Sequence, residues 1–356
     1  MEKKTKASGI ALLPILVFLV IFLGAGFISG DFYSMPAIVG FLIALFVAFI
    51  QDREHSFDEK IHLVARGVGD DNIITMCLIF LAAGGFSGAV TAAGGVESTV
   101  NLGLSILPSS VAVAGLFVIG CFISVSMGTS MGTIAALAPI AVGISEKTGF
   151  GMPICIGAVV CGAMFGDNLS MISDTTIAAV KTQGCEMKDK FKENFIIVLP
   201  AAILTIVLFL VLTRHGSFEM SSDLPYNIWR VLPYLVVLIG ALIGFNVFLV
   251  LIAGIVLSLV VGVATGSIPL GDVFVVVAQG ADGTGGIMGM YDITVISMVV
   301  ACIVSLVKEM GGIQFILNVI RKRIKGKKGG ELGIAVLALL VDMCTANNTV
   351  AIVMAG

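Results

Sequence analysis

Of the 23 acidic residues in this chain, three fall deep inside apolar stretches: Asp167, Asp174 and Asp342. A carboxylate among apolar side chains costs several kcal/mol unless it is paired, hydrated or protonated, so each is a candidate for chemistry. Asp167 and Asp174 share one run, Phe165-Gly-Asp-Asn-Leu-Ser-Met-Ile-Ser-Asp-Thr-Thr-Ile177. Gly166 permits a break in a helix, and Ser173 and Asp174 are favoured N-cap residues for a helix that resumes. The carbonyls of an unwound stretch have no intrahelical partners. With a hydroxyl and a carboxylate they form a hard oxygen cage for a small cation, and the carboxylate can take a proton instead. Competition between Na⁺ and H⁺ for Asp167 or Asp174 would exchange one ion for the other if the site opened to two faces in turn.

Two more polar clusters interrupt apolar runs: Ser126-Met-Gly-Thr-Ser-Met-Gly-Thr133 and Thr345-Ala-Asn-Asn-Thr349. Other chemistries lack their residues. His55, His62 and His215 lie in polar connections, and the seven cysteines are scattered without a CxxC pair. No nucleophile–base pair or metal cluster is legible, so neither an enzyme nor a cofactor is expected. The net charge of −3 and the lack of a basic stripe interleaved with aromatics argue against nucleic acid. No Arg or Lys lies deep in any span, which favours a small cation over an organic anion as substrate, although half-helix N-termini and hydroxyls can also bind a carboxylate.

The elements that position these residues are membrane spans. The chain is 58% hydrophobic and 12% charged, with a mean hydropathy of +1.11. Apolar runs of about 20 residues, enough to cross a hydrocarbon core, recur along its length. Candidate spans are 9–29, 35–50, 71–93, 152–183, 193–213, 228–244, 246–265 and 290–308, with interrupted stretches at 109–146 and 331–356. The first run is too long for a signal h-region and reads as a helix. Sixteen of the 20 Lys and Arg lie in four segments: Lys3 to Lys6, Arg53 to Arg66, Lys181 to Lys192, and Arg321 to Lys328. The positive-inside rule puts all four on the cytoplasmic side, with the N-terminus, only if 109–146 is a re-entrant hairpin whose tip is the 126–133 cluster.

Shifted on itself by 216 residues, the chain places Met127, Thr129 and Thr133 on Met343, Thr345 and Thr349. Spans 9–29, 35–50 and 71–91 then fall on 225–245, 251–266 and 287–307. Five crossings plus a hairpin in residues 1–215 make the second repeat, 216–356, enter from the opposite side, so the repeats are inverted. The expected fold is therefore an all-α polytopic membrane protein of two inverted-topology repeats with re-entrant hairpins and broken helices. Because the second repeat stops seven residues after Thr349, it reads as C-terminally truncated.

The run Phe-Gly-Asp-Asn-Leu-Ser-Met-Ile-Ser-Asp-Thr-Thr-Ile-Ala-Ala at 165–179 closely resembles the signature of the NhaC family of sodium/proton antiporters. In span layout the resemblance extends over essentially the whole chain. The resemblance implies sodium/proton exchange in the cell inner membrane, with some members exchanging organic acids or amino acids. By motif position it implies an ion and proton site of Asp167, Asn168, Ser170, Ser173, Asp174 and Thr175, with Na⁺ at Asp167 and Asp174. It adds hairpin-tip contacts at Thr129, Ser130, Thr133, Thr345, Asn347 and Asn348. Asp342, just before the second tip, is either a second proton carrier or an acceptor for hairpin N–H groups. Structural alternatives stand beside these roles: Asp174 as a helix cap, and Asp167 as an acceptor for N–H groups freed at the break. Many relatives carry proline after the first motif serine, where this chain has Met171. Expected partners are small cations and the lipid bilayer, with a homodimer as the protein assembly left open.

Overall fold

The structure, a computed structural model, describes residues 7–31, 34–106, 111–148, 150–214, 225–243, 245–281, 283, 285–312, 314–315, 318, 329–335, 338–339 and 348–355. Asp342, Thr345, Asn347, His215 and the cluster Arg321 to Lys328 lie outside the described residues.

Every main element among the described residues is helical. The first half supplies α1 (Leu13–Ser29), α2 (Ala37–Gln51), α3 (Phe57–Val68), α4 (Asp71–Ala92), α5 (Gly95–Ile106), α6 (Ala112–Met127), α7 (Ser130–Thr148), α8 (Met152–Leu169), α9 (Asp174–Gln183) and α10 (Met187–Thr213). The second supplies α11 (Ile228–Ile243), α12 (Val247–Ala264), α13 (Val273–Gln279), α14 (Tyr291–Glu309) and α15 (Asn348–Ala355). Among the described residues, six stretches are long and apolar enough to cross a membrane: Ile10–Ser29, Ile73–Ala92, Met152–Gln183, Met187–Thr213, Val247–Ala264 and Met288–Glu309. The chain is a multi-pass membrane protein. Lipid offers backbone groups no partners, so the helix, which satisfies its own, is the form apolar spans take.

Two connections are more ordered than their composition suggests. Residues 53–70, read from the sequence as a basic connection, contain the helix α3. Its start is a capping box, in which the Ser56 N–H donates to Glu59 Oε2 at 2.7 Å and the Glu59 N–H to Ser56 Oγ at 3.4 Å. That backbone donor holds the Glu59 carboxyl below the usual carboxylate range. After α12, the short α13 occupies the equivalent place, so two apolar helices, a short helix and a long apolar helix follow in order in α1–α4 and again in α11–α14.

The chain forms two compact units. One comprises Met1–Cys77, Lys181–Gln183 and Tyr291–Gly356, the other Leu78–Val180 and Gly184–Met290. In the first, α2 packs on α1 and α14, with Phe18 stacked on Phe41 at 3.9 Å between ring centroids. The second holds the break motif. Its centre is α6, buried along nearly its whole length, as expected of a helix apolar on every side. Helix α8 lies directly against α6 because Gly162 and Gly166, one turn apart, leave no side chain between them. A Cβ on Gly162 would stand 2.4 Å from the Phe117 carbonyl oxygen, and one on Gly166 2.5 Å from that of Cys121.

Candidate functional site

Helix α6 ends at Met127, and only Gly128 and Thr129 separate it from α7. Gly128 takes a left-handed conformation, φ +72°, and its N–H caps the Ser124 carbonyl at 2.9 Å. The reversal needs glycine twice over, because a Cβ there would also meet the Ile172 backbone at 2.8 Å. The α6–α7 turn thus rests on the interruption of the neighbouring span.

That interruption falls later than the sequence suggests. Gly166 lies inside α8, which runs to Leu169; residues Ser170 to Ser173 are non-helical, and α9 starts at Asp174. The glycine serves the contact with α6, and serine hydroxyls shape the break. Ser170 Oγ donates to the Val125 carbonyl at 2.7 Å and accepts the Ile172 N–H at 3.2 Å. Met171 and Ile172 are buried, and both line a small apolar cavity with Val125, Leu169, Phe191, Val237 and Leu238. The chain therefore breaks its helix without a proline: hydroxyls replace the lost ladder bonds and apolar side chains hold the segment inside.

Asp167 stands in the last turn of α8 and is only 8% exposed. Its carboxylate accepts from Ser130 Oγ at 2.8 Å and from Ser173 Oγ, and Ser173 Oγ lies 2.7 Å from Thr175 Oγ1. Three helices meet on this one side chain. Ser130 opens α7 at the hairpin tip, Asp167 is on α8, and Ser173 immediately precedes α9. No Lys, Arg or His nitrogen among the described residues forms an ion pair with the carboxylate. A nearly buried acid with hydroxyls for neighbours is a site that a proton or a small monovalent cation can complete, since hydroxyl and carboxylate oxygens are hard ligands.

The other expected site residues separate by role. Ser173, the residue before α9, turns its hydroxyl to Asp167, while its carbonyl accepts the Ile177 N–H at 2.8 Å. Asp174 is half-buried, and its Oδ1 accepts the N–H of the next residue, Thr175, at 2.8 Å. At the tip, Thr133 Oγ1 donates to the Thr129 carbonyl at 2.7 Å, and Thr129 Oγ1 accepts the Gly132 N–H at 3.2 Å; both brace the first turn of α7. Ser170 is spent on the backbone, as above. Asn348 is exposed at the start of α15, in the other compact unit.

Asn168 points the other way. Its side-chain oxygen accepts from Asn194 Nδ2 at 2.6 Å, and its backbone carbonyl, freed by the end of α8, accepts from Lys190 Nζ and, at 3.3 Å, from Asn194 Nδ2. Lys190 Nζ also donates to Thr176 Oγ1 at 2.6 Å, spanning the break from α8 to α9. Lys190, read from the sequence as a topology charge outside the spans, thus reaches one of the interruptions from the first turn of α10. Lys190 and Asn194 are four apart on α10 and share a face, but only the packing of α10 shows that this face meets the break.

Comparison with known proteins follows the same line. A family model described as Na⁺/H⁺ antiporter family matches residues 5–214. The chain is 23% identical over 361 residues to a malate-2H⁺/Na⁺-lactate antiporter of Bacillus subtilis, covering 93% of this chain and 76% of that one. It is 23% identical over 385 residues to the Na⁺/H⁺ antiporter NhaC of Alkalihalophilus pseudofirmus, covering 100% and 81%. A putative amino acid transporter of Bacillus subtilis is 32% identical over 178 residues, covering 48% of this chain and 38% of that one.

Proposed function

The chain belongs to the Na⁺/H⁺ antiporter family, and we propose that it exchanges Na⁺ for H⁺ across the cytoplasmic membrane with Asp167 as the carboxylate both ions share. It is a transporter. The observation that carries the reading is a nearly buried carboxylate held by hydroxyls from a hairpin tip and from a helix restart, with no ion-pair partner among the described residues.

Mechanism follows from occupancy. Na⁺ needs the carboxylate ionised, and protonation removes the charge that binds it, so each ion expels the other and neither adds to the other's binding. Ser130 and Ser173 hold the carboxylate in place, and each hydroxyl oxygen keeps lone pairs to offer a cation. Because the site lies between a short hairpin turn and a broken span, small movements of either open it toward one face or the other. The repeated element order, together with the match of the sequence to itself at an offset of 216 residues, supports two inverted-topology repeats as the frame for this alternation. The lysine and arginine distribution supports a cytoplasmic N-terminus.

Proteoliposomes carrying an internal pH dye test the reading. A Na⁺ or Li⁺ pulse is expected to drive proton movement, with the Michaelis constant for Na⁺ rising as pH falls because the two ions compete. Proton flux that ignores Na⁺ and Li⁺ at every pH, with counterflow of an organic acid, would overturn it. A second reading, Na⁺- or H⁺-coupled exchange of an organic acid or amino acid, draws support from the malate/lactate relative and from Lys190, a cation at the break that a carboxylate could use. Counterflow of labelled malate, lactate and amino acids in the same vesicles separates the two.

A further inference from the structure

Lys190 has no part in the exchange as described, yet it joins the two halves of the broken span. Its ammonium fills the place where a cation would satisfy the orphaned Asn168 carbonyl, with Thr176 Oγ1 as a second ligand. Asn194 crowds the same carbonyl and leaves Lys190 as the charged partner. Asp167, the residue before Asn168, is the acid whose charge acts on Lys190. The two charges are therefore neighbours without being an ion pair, since no ion pair between them falls within contact distance.

We propose that Lys190 is a specificity-determining charge: a positive charge behind the Asp167 site that, while protonated, weakens every cation bound there in proportion to its charge and so favours monovalent ions. The inference rests on Asp167 being the ion site. Its physical basis is Coulomb's law in a medium far less polarisable than water, where a neighbouring unit charge repels a divalent ion with twice the free energy it applies to a monovalent one. A doubled free energy is a squared affinity ratio. Hydrogen bonding of Lys190 to the break makes no such prediction, because a brace affects all ions alike.

The test measures Na⁺- and Li⁺-driven proton flux, and its inhibition by Ca²⁺ and Mg²⁺, in proteoliposomes at one near-neutral pH, where the lysine is protonated and the carboxylate ionised. Lys190→Gln keeps a donor for the Asn168 carbonyl and removes the charge. It is expected to lower the Michaelis constants for Na⁺ and Li⁺ by about three- to tenfold and the inhibition constants of Ca²⁺ and Mg²⁺ by the square of that factor, about ten- to a hundredfold. Lys190→Arg is expected to restore wild-type values. Should Lys190→Gln not fold, Asn194→Asp, which sets a negative charge beside an intact Lys190, is expected to shift all four ions in the same directions and with the same squared relation. Equal factors for monovalent and divalent ions, or no shift, would overturn the proposal, as would rescue by Gln and not by Arg. Asp167→Asn run in parallel keeps the premise separate: exchange surviving in that variant removes Asp167 as the ion site, whereas its loss with unshifted Lys190→Gln removes only the role of Lys190.

Discussion

Asp167 and Asn168 are neighbours in sequence at the end of one helix, and their surroundings are opposite. Asp167 faces inward, 8% exposed, among the hydroxyls of Ser130 and Ser173. Asn168 faces α10 and is exposed, with its carbonyl under an ammonium and its side chain against an amide. A helix end leaves orphan carbonyls that demand donors, and the outer side supplies them permanently from Lys190 and Asn194. The inner side supplies neutral donors alone, so its negative charge stays available to a mobile cation. The difference teaches that a single break presents two faces: one is closed by the protein's own cation, and the other holds an acid answered by hydroxyls alone.

The comparison is tested first where the effect is largest. Asp167→Asn keeps size and hydrogen-bonding shape but loses the charge, and Na⁺-driven proton flux is expected to fall by about a hundredfold or more while the protein stays monodisperse in detergent. Next comes the support beneath the inner face. Gly166→Val forces a side chain into the α6 backbone and is expected to cost about 1–3 kcal/mol, read as a lower Tm. Ser130→Ala and Ser173→Ala each remove a hydrogen bond to a charged group. Each is expected to raise the Michaelis constant for Na⁺ by about tenfold, with the double variant non-additive because both act on one carboxylate.

Asp174→Asn gives the sharpest contrast between two acids of one motif. Asn retains an acceptor for the Thr175 N–H, so exchange is expected to stay within about threefold of wild type. A loss equal to that of Asp167→Asn would place both acids in one site and break the distinction drawn here. The smallest effect belongs to the outer face: Asn194→Ala is expected to lower stability by about 0.5–1.5 kcal/mol without changing the dependence of flux on Na⁺.

Much of this was legible in the residues. Long apolar runs have one solution in lipid, so α1, α4, α10, α12 and α14 follow from composition alone. An acid in such a run is conspicuous, which singled out Asp167. Three things were less legible. Gly166 was read as permitting the break, and it packs α8 on α6 instead, because a glycine allows unwinding and close packing alike and only the partner helix decides between them. Helix α3 was hidden in a basic connection, since its capping box is satisfied locally and its apolar face is short. The charges of Lys188, Lys190 and Lys192 looked equivalent, and nothing local distinguishes the one whose length and helix face carry it to Asn168.

The sequence by itself therefore determined that this is a membrane protein of apolar helices, where the polar interruptions lie, and which acids could carry an ion, because those properties depend on residue type and on the cost of polar groups in hydrocarbon. Only the tertiary structure decided which hydroxyls meet the Asp167 carboxylate and which lysine closes the far side of the break. Those partners come from α7, α9 and α10, up to 37 residues away in the chain, and hydrogen bonds act over about 3 Å, a distance that helix packing sets and sequence spacing does not.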